Sequence, residues 1–149
     1  MAITSSKKIL EAVISKLREQ NTGISITSQD IEEGFKRPSF FVSLENLKAE
    51  NYMNSFQEKS GDIRIVFFPT HKHKNQEEIL DTQDLLSETF LKEKKIVLEN
   101  GSCIDVSEVD IDVVDKVLHF DFKIWLAEEY EREVAAENME ELVINQEVE

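Results

Sequence analysis

The sequence predicts an α+β domain in which two helices pack on one face of a mainly antiparallel β-sheet. Two segments repeat their apolar residues at helical spacing, and several others alternate apolar and polar residues as strands do. Their order is helix, strands, helix, strands, which is typical of this fold class. A chain of 149 residues is long enough for one domain with a modest core. We expect residues 1–126 to form this domain and residues 127–149 to be an acidic C-terminal extension.

The first helix is expected over residues 5–20, where the apolar side chains form one stripe. Ser5 or Ser6 can cap its first turn by accepting a backbone N–H. The sequence Asn21-Thr22-Gly23 would end it. The stripe that would face the core consists of Ile9, Leu10, Val13, Ile14 and Leu17.

Alternating apolar residues predict three strands before the second helix. A short strand is expected at residues 24–27, "ISIT". A longer one follows Pro38, which cannot donate to a ladder and biases Arg37 toward an extended backbone. Its two faces would carry Phe40, Val42 and Leu44 on one side and Phe41, Ser43 and Glu45 on the other. The third strand, "IRIVFFP", is apolar on both faces near its end, so we expect it to be central and to stop at Pro69.

The second helix is expected over residues 76–91, and the rest of the domain is β-structure. Asn75 and Glu78 resemble a capping box with Asn in place of Ser or Thr. Strands are expected near 95–99 and from Ile104, and a turn near Asp115-Lys116 leads to the clearest strand. In that strand Trp125 would point outward, opposite the inward set Leu118, Phe120, Phe122, Ile124 and Leu126.

The charge of the chain argues against direct binding of nucleic acid. The net charge is −14, whereas phosphate neutralisation needs clustered Lys and Arg. More than half of this charge lies between Ala127 and Glu149, which contain nine Glu and one Arg. Within this acidic end, "ELVIN" has the composition of a short strand that would need an edge to pair with. The N-terminus lacks the apolar block of a signal peptide and no apolar run has membrane-spanning length, so we expect a cytoplasmic product without a membrane partner.

Three features resemble metal or catalytic sites, and in each the plainer interpretation is favoured. His71 and His73 would need one or two further ligands to bind zinc. The acidic run "DVSEVDIDVVD" lacks the Gly of a calcium loop and alternates like a strand. The single Cys103 excludes an internal disulfide and is better explained as a packing residue at a strand start. Because no nucleophile with a placed base and no phosphate-binding loop is visible, we expect no enzyme, no metal site and no cofactor.

Several segments resemble, in order, those of the tail terminator (tail-completion) proteins of phages and prophage-derived particles from Gram-positive bacteria. They are the N-terminal amphipathic helix, "EEGFKRPSFFVSL", "IRIVFFP" leading into "NQEEILDTQDLL", "VDKVLHFDFKIWL" and the late "MEEL". Together they cover most of the chain, and Gly34–Leu44 is the most telling of them. The stretch between Trp125 and Met139 is longer and more acidic than the family's pattern.

The resemblance implies a structural protein of the virion, assembled in the host cytoplasm. Members of this family form a hexameric ring on the head-proximal end of the completed tail tube and end its polymerisation. In contractile tails the ring also holds the last layer of sheath protein, and it then offers a docking surface to the head-completion or connector protein. DNA would pass through the lumen of this homo-oligomer without specific binding.

The resemblance also implies that a set of outward side chains forms an interface with a partner. These residues are Phe35, Lys36, Arg37, Phe41, Phe68 and Trp125. Aromatic residues concentrate at interface centres, although burial under the protein's own helices would equally explain them. On the residues alone, the two bases are better explained by an exposed turn than by an anion site. With the resemblance, Gly34–Arg37 becomes a loop that docks on a partner.

Two other functions remain compatible with the sequence. One is a different protein of the head–tail junction, such as a connector-ring or stopper subunit. The other is a monomeric acidic inhibitor that mimics DNA and occupies an enzyme of nucleic-acid metabolism.

Overall fold

The computed structural model describes residues 4–20, 24–28, 36–52 and 55–129, which form two helices and six strands and confirm the α+β class. In chain order these are α1 (Ser6–Gln20), β1 (Ser25–Thr27), β2 (Ser39–Tyr52), β3 (Phe56–Phe68), α2 (Gln76–Leu91), β4 (Lys95–Val97), β5 (Cys103–Val114) and β6 (Val117–Glu129). β3 begins earlier than its apolar pattern indicates, and β6 continues past Leu126 to Glu129. Within the described ranges neither helix combines the length and apolarity needed to cross a membrane.

The strands form one sheet in the order β1-β2-β3-β6-β5-β4. β1 pairs with β2 in parallel, and every other pairing is antiparallel. β3 is central, as predicted, and its partner in the centre is β6. Because β1 and β4 are each only three residues long, most of the outer edge of β2 and of β5 has no partner strand among the described residues.

Both helices pack on one face of this sheet, and the core lies between the two layers. The predicted alternation of β6 is confirmed: Leu118, Phe120, Phe122, Ile124 and Leu126 are each at most 1% exposed. The ring of Phe90 from α2 packs against that of Phe122, with centroids 5.0 Å apart. Each such fully buried side chain contributes about 1.5–3 kcal/mol. α1 contacts both β2 and β4, near opposite edges of the sheet, so the sheet curls around this helix.

Two β-bulges flank the central pair at the same level. In β2 the register shifts within Glu45–Lys48, and in β5 it shifts within Ser107–Asp110. Each bulge contains a residue with positive φ, Asn46 at 54° and Glu108 at 49°. The extra residue in each strand reverses which side chains point toward the helices beyond the bulge. A strict alternation over these two strands therefore describes only one half of each.

The two helices begin differently, and only one beginning was predicted correctly. Ser5 caps α1, because its hydroxyl accepts the N–H of Lys8 at 3.3 Å. The predicted capping box of α2 is wrong, since the Asn75 side chain makes no capping hydrogen bond. Its amide instead donates to the carbonyl of His71 at 2.8 Å and to that of Lys116 at 3.2 Å. Asn75 therefore joins the loop after β3 to the turn between β5 and β6.

A buried carboxylate joins the beginning of the described chain to the end of β6. Glu128 is 5% exposed, and its carboxylate accepts the N–H and the hydroxyl of Thr4, both at 2.7 Å. It also accepts the Ser102 hydroxyl at 2.9 Å and the Asn100 amide at 3.1 Å. Burial, the largest single influence, would raise the pKa of Glu128, but the hydrogen bonds from these three residues together hold it below its ordinary value. We call these four residues the Glu128 cluster.

Candidate functional site

The sheet face opposite the helices carries the outward side chains of the long strands, and one end of it is aromatic. Phe41 pairs with Val66, and Phe68 pairs with Ser39, so the two aromatic rings occupy neighbouring outward positions of β2 and β3. Both aromatic side chains are half-buried. Their burial comes from neighbours on this open face, because the helices cover the other face.

Arg37 belongs to this aromatic end and is held in place there. Its Nη1 donates to the carbonyl of Pro69 at 3.1 Å. Its guanidinium carbon lies 5.6 Å from the centroid of the Phe68 ring, within the range of a cation–π contact. Lys36 beside it is exposed, and Phe35 lies outside the described residues. We use the term aromatic end for Arg37, Phe41 and Phe68.

The middle of the open face is negatively charged. Arg64 lies between two carboxylates, 3.8 Å from Glu45 and 3.6 Å from Asp121. One oxygen of Asp121 is buried without a hydrogen-bond partner among the described residues. Burial raises the pKa of Asp121 above its ordinary value; Arg64 and His119 oppose this rise, and Asp110 adds to it. The guanidinium of Arg64 is therefore shared between the carboxylates of Glu45 and Asp121.

Trp125 lies at the far end of the same face. It is 41% exposed, and its indole N–H donates to the carboxylate of Glu58. Its partner in β3 is Ser60, which places it about 20 Å along the strands from the aromatic end. The structure thus groups three of the predicted interface residues with exposed Lys36 and leaves Trp125 apart from them.

The structure also assembles a group of bases that the sequence analysis did not connect. The loop after β3 and the turn between β5 and β6 meet at the aromatic end, where Lys116 Nζ donates to the carbonyl of His73 at 3.1 Å. The exposed members of this group, which we call the basic rim, are Lys36, His71, Lys72, His73, Lys74 and Lys116. The signal in the sequence is the run "HKHK" at residues 71–74, two lysines and two histidines in succession. In the described part of the chain no group of three or more His, Cys, Asp or Glu side chains is arranged to hold a metal ion.

Cys103 opens β5 as predicted, but it does not pack in the core. Its side chain is exposed, because Ile104 and not Cys103 points toward the helices at the start of this strand. The acidic run that superficially resembles a calcium loop is β5 itself, as its alternation predicted.

Comparison with known proteins assigns a family to this arrangement. The family model for phage tail terminator proteins matches residues 8–136, which run from α1 through the whole of β6. Comparison with the curated proteins gives no match. A family of structural proteins of the virion tail is consistent with a role that is not enzymatic. The match covers well over half of the chain, and the chain therefore belongs to the phage tail terminator family.

Proposed function

We propose that this tail terminator assembles as a hexameric ring on the head-proximal end of the tail tube and ends tube polymerisation there. The observation that carries the proposal is the pair of largely uncovered sheet edges, along β2 and along β5. An edge strand with unpaired N–H and C=O groups must be covered or paired. A contact in which one edge of each copy meets another surface of the next copy gives a ring when the rotation between copies closes, as a rotation of one sixth of a turn does.

The aromatic end and the basic rim supply a surface for tail partners. They lie together at one end of the sheet, and they combine half-buried aromatic side chains with exposed cations. Aromatic residues and Arg are enriched at the centres of protein interfaces. This end of each copy would contact the tail tube protein and, in a contractile tail, the last layer of sheath protein. The opposite side of the ring would receive the head-completion or connector protein.

The negative charge of the chain suits a ring through which DNA passes. The net charge is −14, and the middle of the open face places Arg64 between Glu45 and Asp121, with Asp110 opposite Asp121 in β5. Carboxylates repel phosphates, so DNA would cross the lumen without the contacts to Lys and Arg that would retain it. The role proposed for DNA is therefore passage without specific binding.

A capping assay tests this function. Purified protein is added to polymerising tail tube protein, and negative-stain images are scored for rings at one tube end and for the cessation of growth. Replacing Lys36 and Arg37 with Glu should abolish capping, because both bases contribute to the cationic surface at the aromatic end. A matched charge reversal at Lys7 and Lys8, exposed on α1, should leave capping intact.

Circular dichroism of both double variants checks that they fold. Normal capping by the Lys36→Glu, Arg37→Glu variant would remove the aromatic end from the docking surface. Failure of the wild-type chain to stop tube growth would reject the proposed function itself.

A further inference from the structure

A groove lies between the N-terminal half of α2 and the last residues of β5. Its floor and walls include Ile79 and Leu80 of α2 and Val113 of β5. Leu80 is 50% exposed and Val113 is 48% exposed, which is high for side chains that adjoin the core. This leaves an apolar strip open to solvent at the edge of the sheet.

The groove runs along a free strand edge. β4 pairs with β5 only over Cys103–Asp105, so Ser107–Val114 has no neighbour on its outer side within the described residues. Near the end of this stretch, Val113 donates its backbone N–H to the side chain of Asp112 at 2.9 Å. The strand thus satisfies a backbone donor with a local carboxylate. An extended segment laid along this edge would find backbone groups beside an apolar strip, which are the two requirements for strand addition.

The lining of the groove is less acidic than the chain as a whole. Four members of the basic rim line it, His71, His73, Lys74 and Lys116. Two acids, Glu77 and Glu78, line it as well, and the Glu78 carboxylate accepts the N–H and the hydroxyl of Thr70, at 2.7 and 2.9 Å. With histidine neutral, the two lysines balance the two glutamates, so the groove carries no net negative charge in a chain whose net charge is −14.

The chain itself contains a segment with the matching composition. Leu142-Val143-Ile144 are three consecutive apolar residues, two of them β-branched, inside the acidic C-terminal stretch. Glu140 and Glu141 precede them and Glu147 follows. The segment would place apolar side chains on the strip and carboxylates near the basic rim.

We propose that the groove between α2 and β5 binds the Leu142–Ile144 segment of a second copy of this chain as an added strand. Each copy would then offer one groove and one segment, which is a head-to-tail contact of the kind that closes rings. This inference rests on the self-association that the proposed function requires. It adds which parts of two neighbouring copies meet, namely the groove of one copy and the Leu142–Ile144 segment of the other.

The length of the chain favours exchange between copies over binding within one copy. β6 ends at Glu129, and its start pairs with the end of β5, so the groove lies at the opposite end of a 13-residue strand. That strand spans roughly 40 Å at about 3.3 Å per residue. Residues 130–143 reach about 50 Å only when fully extended. To reach its own groove, the chain after Glu129 would have to run back along the whole of β6 and then around the edge of β5, which would use almost its full extended length. Binding to the groove of a neighbouring copy does not require this path.

Cysteine cross-linking tests this contact directly. Cys103 is the single cysteine, so Cys103→Ser provides a background without thiols. In that background one protein carries Val113→Cys and a second carries Val143→Cys. The two are mixed and oxidised, alone and again with tail tubes present. A disulfide requires Cα atoms within about 7 Å, so the inference predicts a dimer of one protein with the other as the main product.

Two substitutions provide matched controls. Val97→Cys replaces Val113→Cys on another exposed strand position, since Val97 is 68% exposed on β4. Val148→Cys replaces Val143→Cys farther along the acidic end. Either pairing should reduce the mixed dimer at least about tenfold, because the thiols no longer meet. A yield equal to that of the controls, both alone and on tubes, would overturn the proposal.

A chain that carries both Val113→Cys and Val143→Cys distinguishes the two modes of binding. Intermolecular products support exchange between copies, and a disulfide formed only within one chain would overturn it. Capping is scored separately with the wild-type protein. If capping succeeds and cross-linking fails, only the proposed strand exchange is rejected. If cross-linking succeeds and capping fails, the self-association is supported and the terminator role is rejected.

Discussion

Replacing Glu128 with Gln measures how strongly the Glu128 cluster holds the fold together. The substitution keeps the size of the side chain, removes its charge and turns one acceptor into a donor. Thr4, Asn100 and Ser102 all donate to the carboxylate in the wild-type protein. The backbone N–H of Thr4 cannot act as an acceptor, and the Asn100 amide could present its oxygen only by giving up the N–H of Ser102, which that oxygen accepts at 2.9 Å. One of these donors would therefore be opposed by the new amide or left without its acceptor.

The expected loss follows from these four hydrogen bonds. A hydrogen bond to a charged group contributes about 1.5–3 kcal/mol, and a buried donor without a partner costs about 1–3 kcal/mol. Because Gln retains one oxygen and the two hydroxyls can turn, we expect Glu128→Gln to lower the free energy of unfolding by about 2 kcal/mol. For a domain of this size the midpoint of thermal unfolding should fall by about 4–8 °C.

Urea unfolding followed by circular dichroism at 222 nm is the assay. Glu129→Gln is the matched control, since Glu129 is the next residue of β6 and is exposed. It should change the free energy of unfolding by less than about 0.5 kcal/mol. Combining Thr4→Ala with Glu128→Gln should cost less than the sum of the two single substitutions, because the residues share hydrogen bonds.

The pH dependence of the free energy of unfolding provides an independent test of the role of Glu128. The pKa of Glu128 in the folded protein lies below its ordinary value of 4.5, so the ionised carboxylate stabilises the fold. This contribution is fully present above about pH 4.5 and is lost as the pH falls through the lower folded pKa. The difference between wild type and Glu128→Gln should therefore shrink in acid. A loss at neutral pH no larger than that of Glu129→Gln would refute the reasoning.

Two further substitutions test the charged middle of the open face and the bulge in β2. The raised pKa of Asp121 means that its ionised form opposes folding, so Asp121→Asn should increase the urea midpoint at pH 7, and this gain should vanish as the pH falls toward the ordinary value of 3.8. An unchanged or lower midpoint at pH 7 would contradict it. A Cβ on Gly61 would stand 3.0 Å from Leu44 Cδ1 and 3.3 Å from the Glu45 carbonyl oxygen, so Gly61→Val should cost about 1–3 kcal/mol in urea unfolding. An unchanged free energy of unfolding would contradict this steric argument.

Most of the fold follows from periodicity, because burial on one face leaves a regular trace in the sequence. The stripe of α1, the bounds of α2 and the alternation of β6 were predicted correctly. The bulges were not predicted. Asn tolerates positive φ better than most residues, but Asn46 alone does not distinguish a bulge from a turn, and Glu108 gives no such signal. The capping box failed because tertiary partners took up the Asn75 side chain, and local spacing carries no information about them.

The candidate surface was predicted less completely than the fold. Arg37, Phe41 and Phe68 do lie together, since Pro38 and Pro69 bracket neighbouring strands. Lys116 could not be associated with the histidine loop from the sequence, because the contact spans more than 40 residues and depends on the order of strands in the sheet. Glu128 was assigned to the acidic extension by its composition, whereas its role depends on Thr4 at the other end of the chain.

The hairpin formed by the second half of β2 and the first half of β3 extends beyond the bulge, and none of its described side chains beyond that bulge belongs to the buried core. Its described side chains over residues 48–51 are exposed, and those over 56–60 are half-buried. Substitutions over residues 48–51 should therefore change the free energy of unfolding by less than about 0.5 kcal/mol. The β3 half is less tolerant, because Lys59 donates to the carbonyl of Thr4 and Glu58 accepts the indole N–H of Trp125. The β2 half of this hairpin can thus vary in sequence while the helices and the central strands stay constrained by packing.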